Sequence, residues 1–276
     1  MGMATDTAGA SIPGFPPAAG PAYREVLGLL RNLNALKANL VRGVVPCLQL
    51  EPATVQARLD RGQPLLSGET LAIPGEFLRA ALSQLSSQLP KESRSRSVLD
   101  QLLVADHLSQ VALAELVADR EAYLDRAIRC VTELPELAAL LLSIVIASFI
   151  QKQTEPYHAW IDAAGWRHNR CPVCGSRPYM ARLAGDNGRR SLACSLCYTE
   201  WTFDRLRCPF CDNTDQTQLS FFGIEGDTAH RVYCCNRCQH YIKTVDERAS
   251  GSAADLLLED LTTAHLDAVA VHYGYQ

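Results

Sequence analysis

At 276 residues, 47% of them hydrophobic, with a net charge of −4, the chain is long enough for two or three units with a sizeable core. The slightly acidic balance argues against a protein whose main task is to coat nucleic acid. Of its eleven cysteines, most fall in the second half, which turns attention to thiol chemistry.

Residues 1–21, rich in Ala, Gly and Pro, read as a mobile tail. They lack a basic segment followed by an apolar one, so no secretory signal is expected and the cytoplasm is the expected compartment. The chain then reads as helical, with Val26, Leu27, Leu30, Leu33, Leu36 and Leu40 recurring at helical spacing. Further helices are expected over 52–61, 74–89, 98–117 and 122–131, the last two separate or forming one long broken helix. Leu137 to Ile150 supplies fourteen residues without a charge, too few to cross a bilayer and suited to a helix buried in a bundle. No membrane span is expected. Cys47 and Cys130, in helical or apolar contexts, read as ordinary buried thiols.

Four Cys-x-x-Cys pairs follow: Cys171/Cys174, Cys194/Cys197, Cys208/Cys211 and Cys235/Cys238. Two intervening residues let both sulfurs of a pair face one ion from a single tight turn, and a second turn completes a four-sulfur shell. Disulfides are the bland alternative, disfavoured in a reducing compartment. Nineteen residues separate Cys174 from Cys194 and twenty-three separate Cys211 from Cys235, room for a hairpin each, whereas ten lie between Cys197 and Cys208. The expected ligand sets are therefore Cys171, Cys174, Cys194 and Cys197 for one metal, and Cys208, Cys211, Cys235 and Cys238 for another. Crossed pairing is the less favoured alternative. Pro172 pre-sets the first turn and Gly175 admits a positive φ, so that backbone N–H groups can point at the sulfurs. Asp212 takes the glycine position in the third pair, while Tyr198 and Gln239 make the other two less ideal.

Between these turns, 176–184 and 189–193 flank a Gly-Asp-Asn-Gly signal, and 219–224 and 230–234 flank Glu-Gly-Asp, giving two hairpins. A further strand is expected over 199–206, with Trp201 and Phe203 in the core. Cys234 is a spare thiol, read as a small apolar strand residue. A helix over roughly 253–272 closes the chain. Its stripe of Leu256, Leu257, Leu261, Leu266 and Val269 must be covered by the ribbons, by the bundle or by a second subunit in a homodimer. The expected class is thus α+β: a tail (1–21), an all-α unit (22–165), two tandem four-cysteine ribbons (166–206 and 207–250) and a C-terminal helix (251–276).

Cys171-Pro-Val-Cys-Gly-Ser, Cys194-Ser-Leu-Cys-Tyr-Thr-Glu-Trp201, the pair at Cys208 and Cys235-Asn-Arg-Cys238 followed by Tyr241-Ile-Lys-Thr resemble the formate dehydrogenase accessory protein family, FdhE. The resemblance runs from about residue 22 onward, and Cys234 is a departure from its pattern. It implies a cytoplasmic, non-enzymatic factor that binds the catalytic subunit of a respiratory formate dehydrogenase and helps it mature before export, with iron in rubredoxin-like sites. Spacing alone admits zinc or iron.

Other classes compete. A nucleic-acid-binding zinc ribbon is opposed by charge, since residues 165–250 hold twelve Lys and Arg against nine Asp and Glu. A rubredoxin-like electron carrier is open to iron alone. Metal hydrolysis is disfavoured, because four sulfurs leave no position for water, and no Ser-His-Asp, Walker or dinucleotide signature occurs. Arg170, Arg177, Arg207 and Arg237 stand near ligand cysteines and could offset their charge. The seven histidines read as surface or structural groups, with His168 and His240 near enough to donate to a thiolate. Loss of Cys171 or Cys208 is expected to unfold the corresponding ribbon while the helical unit survives, since a small ribbon leans on its metal for about 10–16 kcal/mol.

Overall fold

The computed structural model describes residues 27–28, 30, 33–69, 71–104, 110–118, 120–129 and 131–276. The expected tail, His107 and Cys130 lie outside them. Within the described residues the protein is α+β, helices first and then a mixed sheet.

The helical half is built around one element. Helices α1 (Leu33–Leu40), α2 (Pro52–Asp60), α3 (Gly75–Ser87), α4 (Arg94–Leu103), α5 (Leu113–Ala118) and α6 (Arg120–Ile128) precede α7 (Pro135–Thr154). Proline opens α7, where its missing N–H costs nothing. From Leu141 to Ile150 every residue of α7 is buried, as a helix apolar on all sides requires. Two of its hydroxyls are satisfied inside the helix, Ser148 donating to the Ile144 carbonyl at 2.7 Å and Thr154 to that of Ile150 at 2.9 Å. Residues 135–164 are long and apolar enough by composition to cross a membrane, but 72% of the apolar window is already buried by protein. Against α7 pack Leu78, Ala81, Leu82 and Leu85 of α3 and Val98, Leu99 and Leu102 of α4, each set at helical spacing.

The expected helix over 98–117 is interrupted. Gln110–Ala112 forms a strand, β2, that pairs antiparallel with β1 (Ala72–Pro74). Cys47 is exposed rather than buried. It lies in an extended segment whose N–H groups, those of Cys47 and Leu48, donate to Gln153 Oε1 of α7 at 2.6 and 3.1 Å.

After α8 (His158–Ala164) come β3 (Pro178–Ala184), β4 (Arg189–Cys194), β5 (Glu200–Thr202), β6 (Leu219–Phe222), β7 (His230–Cys235) and β8 (His240–Asp246). They form one six-stranded sheet in the order β5-β4-β3-β8-β7-β6. Each hairpin with its following strand makes an antiparallel triplet, and the triplets join where β3 and β8 run parallel, Met180 opposite Lys243 through Leu183 opposite Asp246. The seam makes the ribbons one surface. Strand β8 was not foreseen, since its central Lys243 interrupts any apolar alternation. Lys243 is 3% exposed, its ammonium held 2.7 Å from both Asp260 Oδ1 and Asp267 Oδ2.

The closing helix is divided at Thr263 into α10 (Leu256–Thr262) and α11 (Ala264–His272), after a short α9 (Glu247–Ser250). The ribbons cover its stripe. Leu256 packs with Met180, Ala193 and Val245, and Leu266 and Ala270 pack with Val232 and Cys234.

Candidate metal centres

Each Cys-x-x-Cys pair is held in the same turn. The N–H of the residue after the second cysteine donates to the carbonyl of the first: Gly175 to Cys171 at 3.0 Å, Tyr198 to Cys194 at 3.2 Å, Asp212 to Cys208 at 3.1 Å and Gln239 to Cys235 at 2.8 Å. All four donors have positive φ, 82°, 55°, 59° and 57° in that order, and the last three are the only non-glycine residues so placed among those described. The turn demands a left-handed residue at this point whatever the side chain. It aims N–H groups inward, Val173 at Cys171 Sγ (3.4 Å), Leu196 at Cys194 Sγ (3.3 Å) and Phe210 at Cys208 Sγ (3.4 Å).

The hairpins bring the turns together in pairs. Cys171, Cys174, Cys194 and Cys197 form one cluster and Cys208, Cys211, Cys235 and Cys238 the other, with all sulfurs of a cluster within 4.8 Å of one another. In the first, Cys171 and Cys197 are 3.5 Å apart, Cys174 and Cys194 3.4 Å, and Cys174 and Cys197 3.7 Å. In the second, Cys208 and Cys238, and Cys211 and Cys235, are each 3.7 Å apart. A disulfide would need about 2.05 Å. A tetrahedral shell with metal–sulfur bonds of about 2.3 Å has edges of roughly 3.8 Å, so both clusters fit a four-coordinate ion.

The clusters differ in setting. All four cysteines of the first are buried, whereas Cys211 and Cys238 of the second are half-buried. Residues from the helical half clamp the first: Leu65 and Leu66, in a turn after α2, donate to the Pro172 and Val173 carbonyls at 2.9 Å each, and Gln151 Nε2 of α7 to the Cys197 carbonyl at 2.8 Å. The Lys37 ammonium lies 4.8 Å from the centre of the Tyr198 ring. Burial pulls that ammonium below its ordinary value against the opposing pull of Asp255, Cys197 and Glu200.

Packing thiols so closely divides their acidities. Burial pushes Cys171 and Cys194 well above the ordinary thiol value, while hydrogen bonds from Cys171, Cys194 and Cys197 overcome burial at Cys174 and bring it well below. In the second cluster, burial is likewise overcome at Cys235 by the N–H groups of Cys238 and Arg237 and by the Asn213 amide, bringing it down to about 7. Burial lifts Cys238 to about 11 and Cys208 still higher.

The spare thiol Cys234 is 3% exposed, packed with Val232, Leu266 and Ala270, and pushed up to about 12 by burial and then by Cys235. It faces the closing helix and not the cluster. No histidine joins either cluster among the described residues. The His168 ring lies against Trp166 and that of His240 against Phe210, while the His240 Nδ1 is 2.8 Å from the Cys238 carbonyl. Of the four flanking arginines, Arg207 is occupied by Asp212 at 2.8 Å and Arg177 approaches His240 Nε2 at 3.3 Å. Trp201 and Phe203 are buried, with Trp201 Nε1 donating to the His168 carbonyl at 2.9 Å.

Two polar neighbours escaped the sequence reading. Asn213 Nδ2 lies 3.7 Å from Cys235 Sγ and Thr199 Oγ1 3.1 Å from Cys197 Sγ. Both stand two residues beyond the second cysteine of their pair, a position that Ser176 and His240 fill in the other turns. A polar residue recurring there was the available signal.

Residues 170–205 match the family model described as FdhE, central domain. A protein FdhE homolog from Aquifex aeolicus is 34% identical over 113 residues, 40% of each chain. Another, from Edwardsiella ictaluri, is 30% identical over 233 residues, covering 83% of this chain and 71% of that one. The crystal structure of the FdhE protein from Pseudomonas aeruginosa superposes with a TM-score of 0.64 over 92% of this chain and 88% of that one. At 22% identity, that last likeness speaks to the fold.

Proposed function

The chain belongs to the FdhE family, and from that premise we propose that it is a cytoplasmic accessory factor for a respiratory formate dehydrogenase. It binds the catalytic subunit before export and assists its maturation, without catalysing a reaction itself. The observation that carries this reading is the pair of closed four-sulfur shells set on one continuous sheet. With every ligand position filled by sulfur, such a shell offers no site for substrate or water, so each metal serves to shape a docking surface.

The eight ligands are Cys171, Cys174, Cys194 and Cys197, and Cys208, Cys211, Cys235 and Cys238. Their donor set suits iron or zinc. Four thiolates around a divalent ion leave two negative charges and around a trivalent iron one, so only iron would couple the surface to redox state. The excess of only three positive charges over residues 165–250 argues against a nucleic-acid role, and the burial of α7 within the protein favours a core helix over a membrane span.

The test is anaerobic purification with metal analysis, followed by capture of the formate dehydrogenase catalytic subunit on the full chain. Capture should be stoichiometric and lost when Cys208 and Cys211 become Ser. Equal capture by metal-free, cysteine-substituted protein would end the proposal. The half-buried second cluster also favours an outer-sphere electron carrier if it holds iron. A visible thiolate band that bleaches reversibly on reduction, with turnover against a redox partner, would distinguish that reading.

A further inference from the structure

A buried cation beside the second cluster keeps two N–H-bearing nitrogens that no acceptor meets. Arg190 of β4 is 3% exposed, and its Nε and Nη2 meet no hydrogen-bond partner. Only Nη1 is engaged, donating to the Arg207 carbonyl at 3.4 Å, and the guanidinium lies 5.3 Å from the centre of the Tyr233 ring. Arg207 has Asp204 and Asp212 for partners. Among the described residues no carboxylate pairs with Arg190 or with Arg205, which shares its cavity. Burial pulls the Arg190 guanidinium down to about 10 against the opposing pull of Tyr233 and Cys208. A buried ionised donor without an acceptor is among the costliest features a fold can keep.

The unpartnered atoms are also the informative pair. Nε and Nη2 are the two nitrogens whose N–H bonds run parallel along one edge of a guanidinium, the edge that grips both oxygens of a carboxylate at once. Arg190 borders a cavity of about 30 Å³ whose polar lining also includes Arg205, Arg207, Ser220, Tyr233 and His240, with Cys208 and Cys235 of the second cluster beside it. That volume exceeds what one water needs and is far below the hundreds of Å³ that a nucleotide-sized ligand fills.

We propose that this cavity is a binding site for a single carboxylate group, gripped side-on by Arg190 and flanked by Arg205. The group belongs either to a small free acid or to an acidic side chain of a bound protein segment. The assignment does not depend on the client reading above. A carboxylate seated there would lie against the second cluster and add negative charge next to its thiolates.

The test is calorimetry on the full, metal-loaded chain titrated with sodium formate, the smallest carboxylate, and with acetate, at ionic strength held constant with chloride. Saturable one-to-one binding is expected. It should be lost in Arg190→Met and weakened about tenfold, or about 1.4 kcal/mol, in Arg205→Gln. Should Arg190→Met fail to fold, Arg205→Gln, on the exposed rim, carries the test alone. A blocked tripeptide with a central Asp that competes with acetate supports a protein side chain as the source, and failure to compete supports a free acid. No saturable binding, binding that chloride displaces equally well, or binding unchanged in Arg205→Gln overturns the proposal.

Discussion

The left-handed residue after each second cysteine is the smallest unit on which the metal centres depend. Glycine fills it once, at Gly175, and there it has two reasons to be glycine. Its φ is +82°, and an added Cβ would lie 3.0 Å from Pro64 Cγ. Gly226, at the tip of the second hairpin, has φ +87° with nothing within 4 Å. Both Gly175→Ala and Gly226→Ala should lose about 1–2 kcal/mol from backbone strain. Gly175→Ala should lose more, because Pro64 sits on the segment that clamps the first cluster. Urea denaturation of the metal-loaded variants measures both, and equal losses would mean that Pro64 yields freely. These turns were legible in the sequence because each is written in six consecutive residues. Arg190 was not, since nothing in Arg-Arg-Ser-Leu says that the second arginine will be buried beside a cysteine eighteen residues on.

At the scale of elements, sequence reading succeeded where partners are near and failed where they are far. The β3–β4 and β6–β7 hairpins announce themselves by their turns. The parallel β3–β8 seam joins residues about sixty positions apart, and the β1–β2 pair is likewise non-local; neither leaves a local mark. The closing helices are fastened to the sheet by polar contacts that are also non-local, His230 and Glu259 being 29 positions apart. His230, at the start of β7, has Nδ1 2.8 Å from Asp227 Oδ2 and Nε2 2.9 Å from Glu259 Oε2 of α10. The hydrogen bond to Glu259 and those to Asp227 raise His230 above its ordinary 6.5. Bonds to His230 outweigh burial at Asp227 and lower it below 3.8. A raised histidine contributes its stability in full below the unfolded value and loses it as pH climbs through the folded one, while a lowered aspartate contributes above its unfolded value and loses it as pH falls through the folded one. The fastening is therefore strongest from about pH 4 to 6.5. The stability difference between the protein and His230→Gln should be largest near pH 6 and shrink toward pH 8. A difference independent of pH would show that the contact acts through packing alone.

Across the whole molecule the two clusters are chemically alike but not interchangeable. The first shares its core with the helices, Cys171, Val173, Cys194 and Leu196 lying in one continuous apolar cluster with Leu141 and Ile150 of α7. No ligand cysteine of the second lies in that cluster, and the closing helix beside it packs on a separate small group, Val232, Cys234, Leu266 and Ala270. This revises the expectation that either ribbon could unfold alone. Cys171→Ala should destabilise helices and sheet together, because it removes a closure on which the shared core depends. Cys208→Ala should loosen only β6, β7 and the closing helices. Limited proteolysis should then cut the second variant first between residues 207 and 235 and leave a protected helical fragment, whereas the first should give none. The same asymmetry governs metal release. A chelator reaches a thiolate through solvent, and of the eight ligand cysteines only Cys211 and Cys238 are partly open to it. Release followed with a colorimetric chelator should therefore be biphasic, one equivalent per chain leaving quickly with helicity retained and the second leaving only as the fold opens. Cys211→Ser should abolish the fast phase and leave the slow one unchanged. A single phase releasing both equivalents at one rate would mean that the helical clamp on the first cluster gives it no kinetic protection.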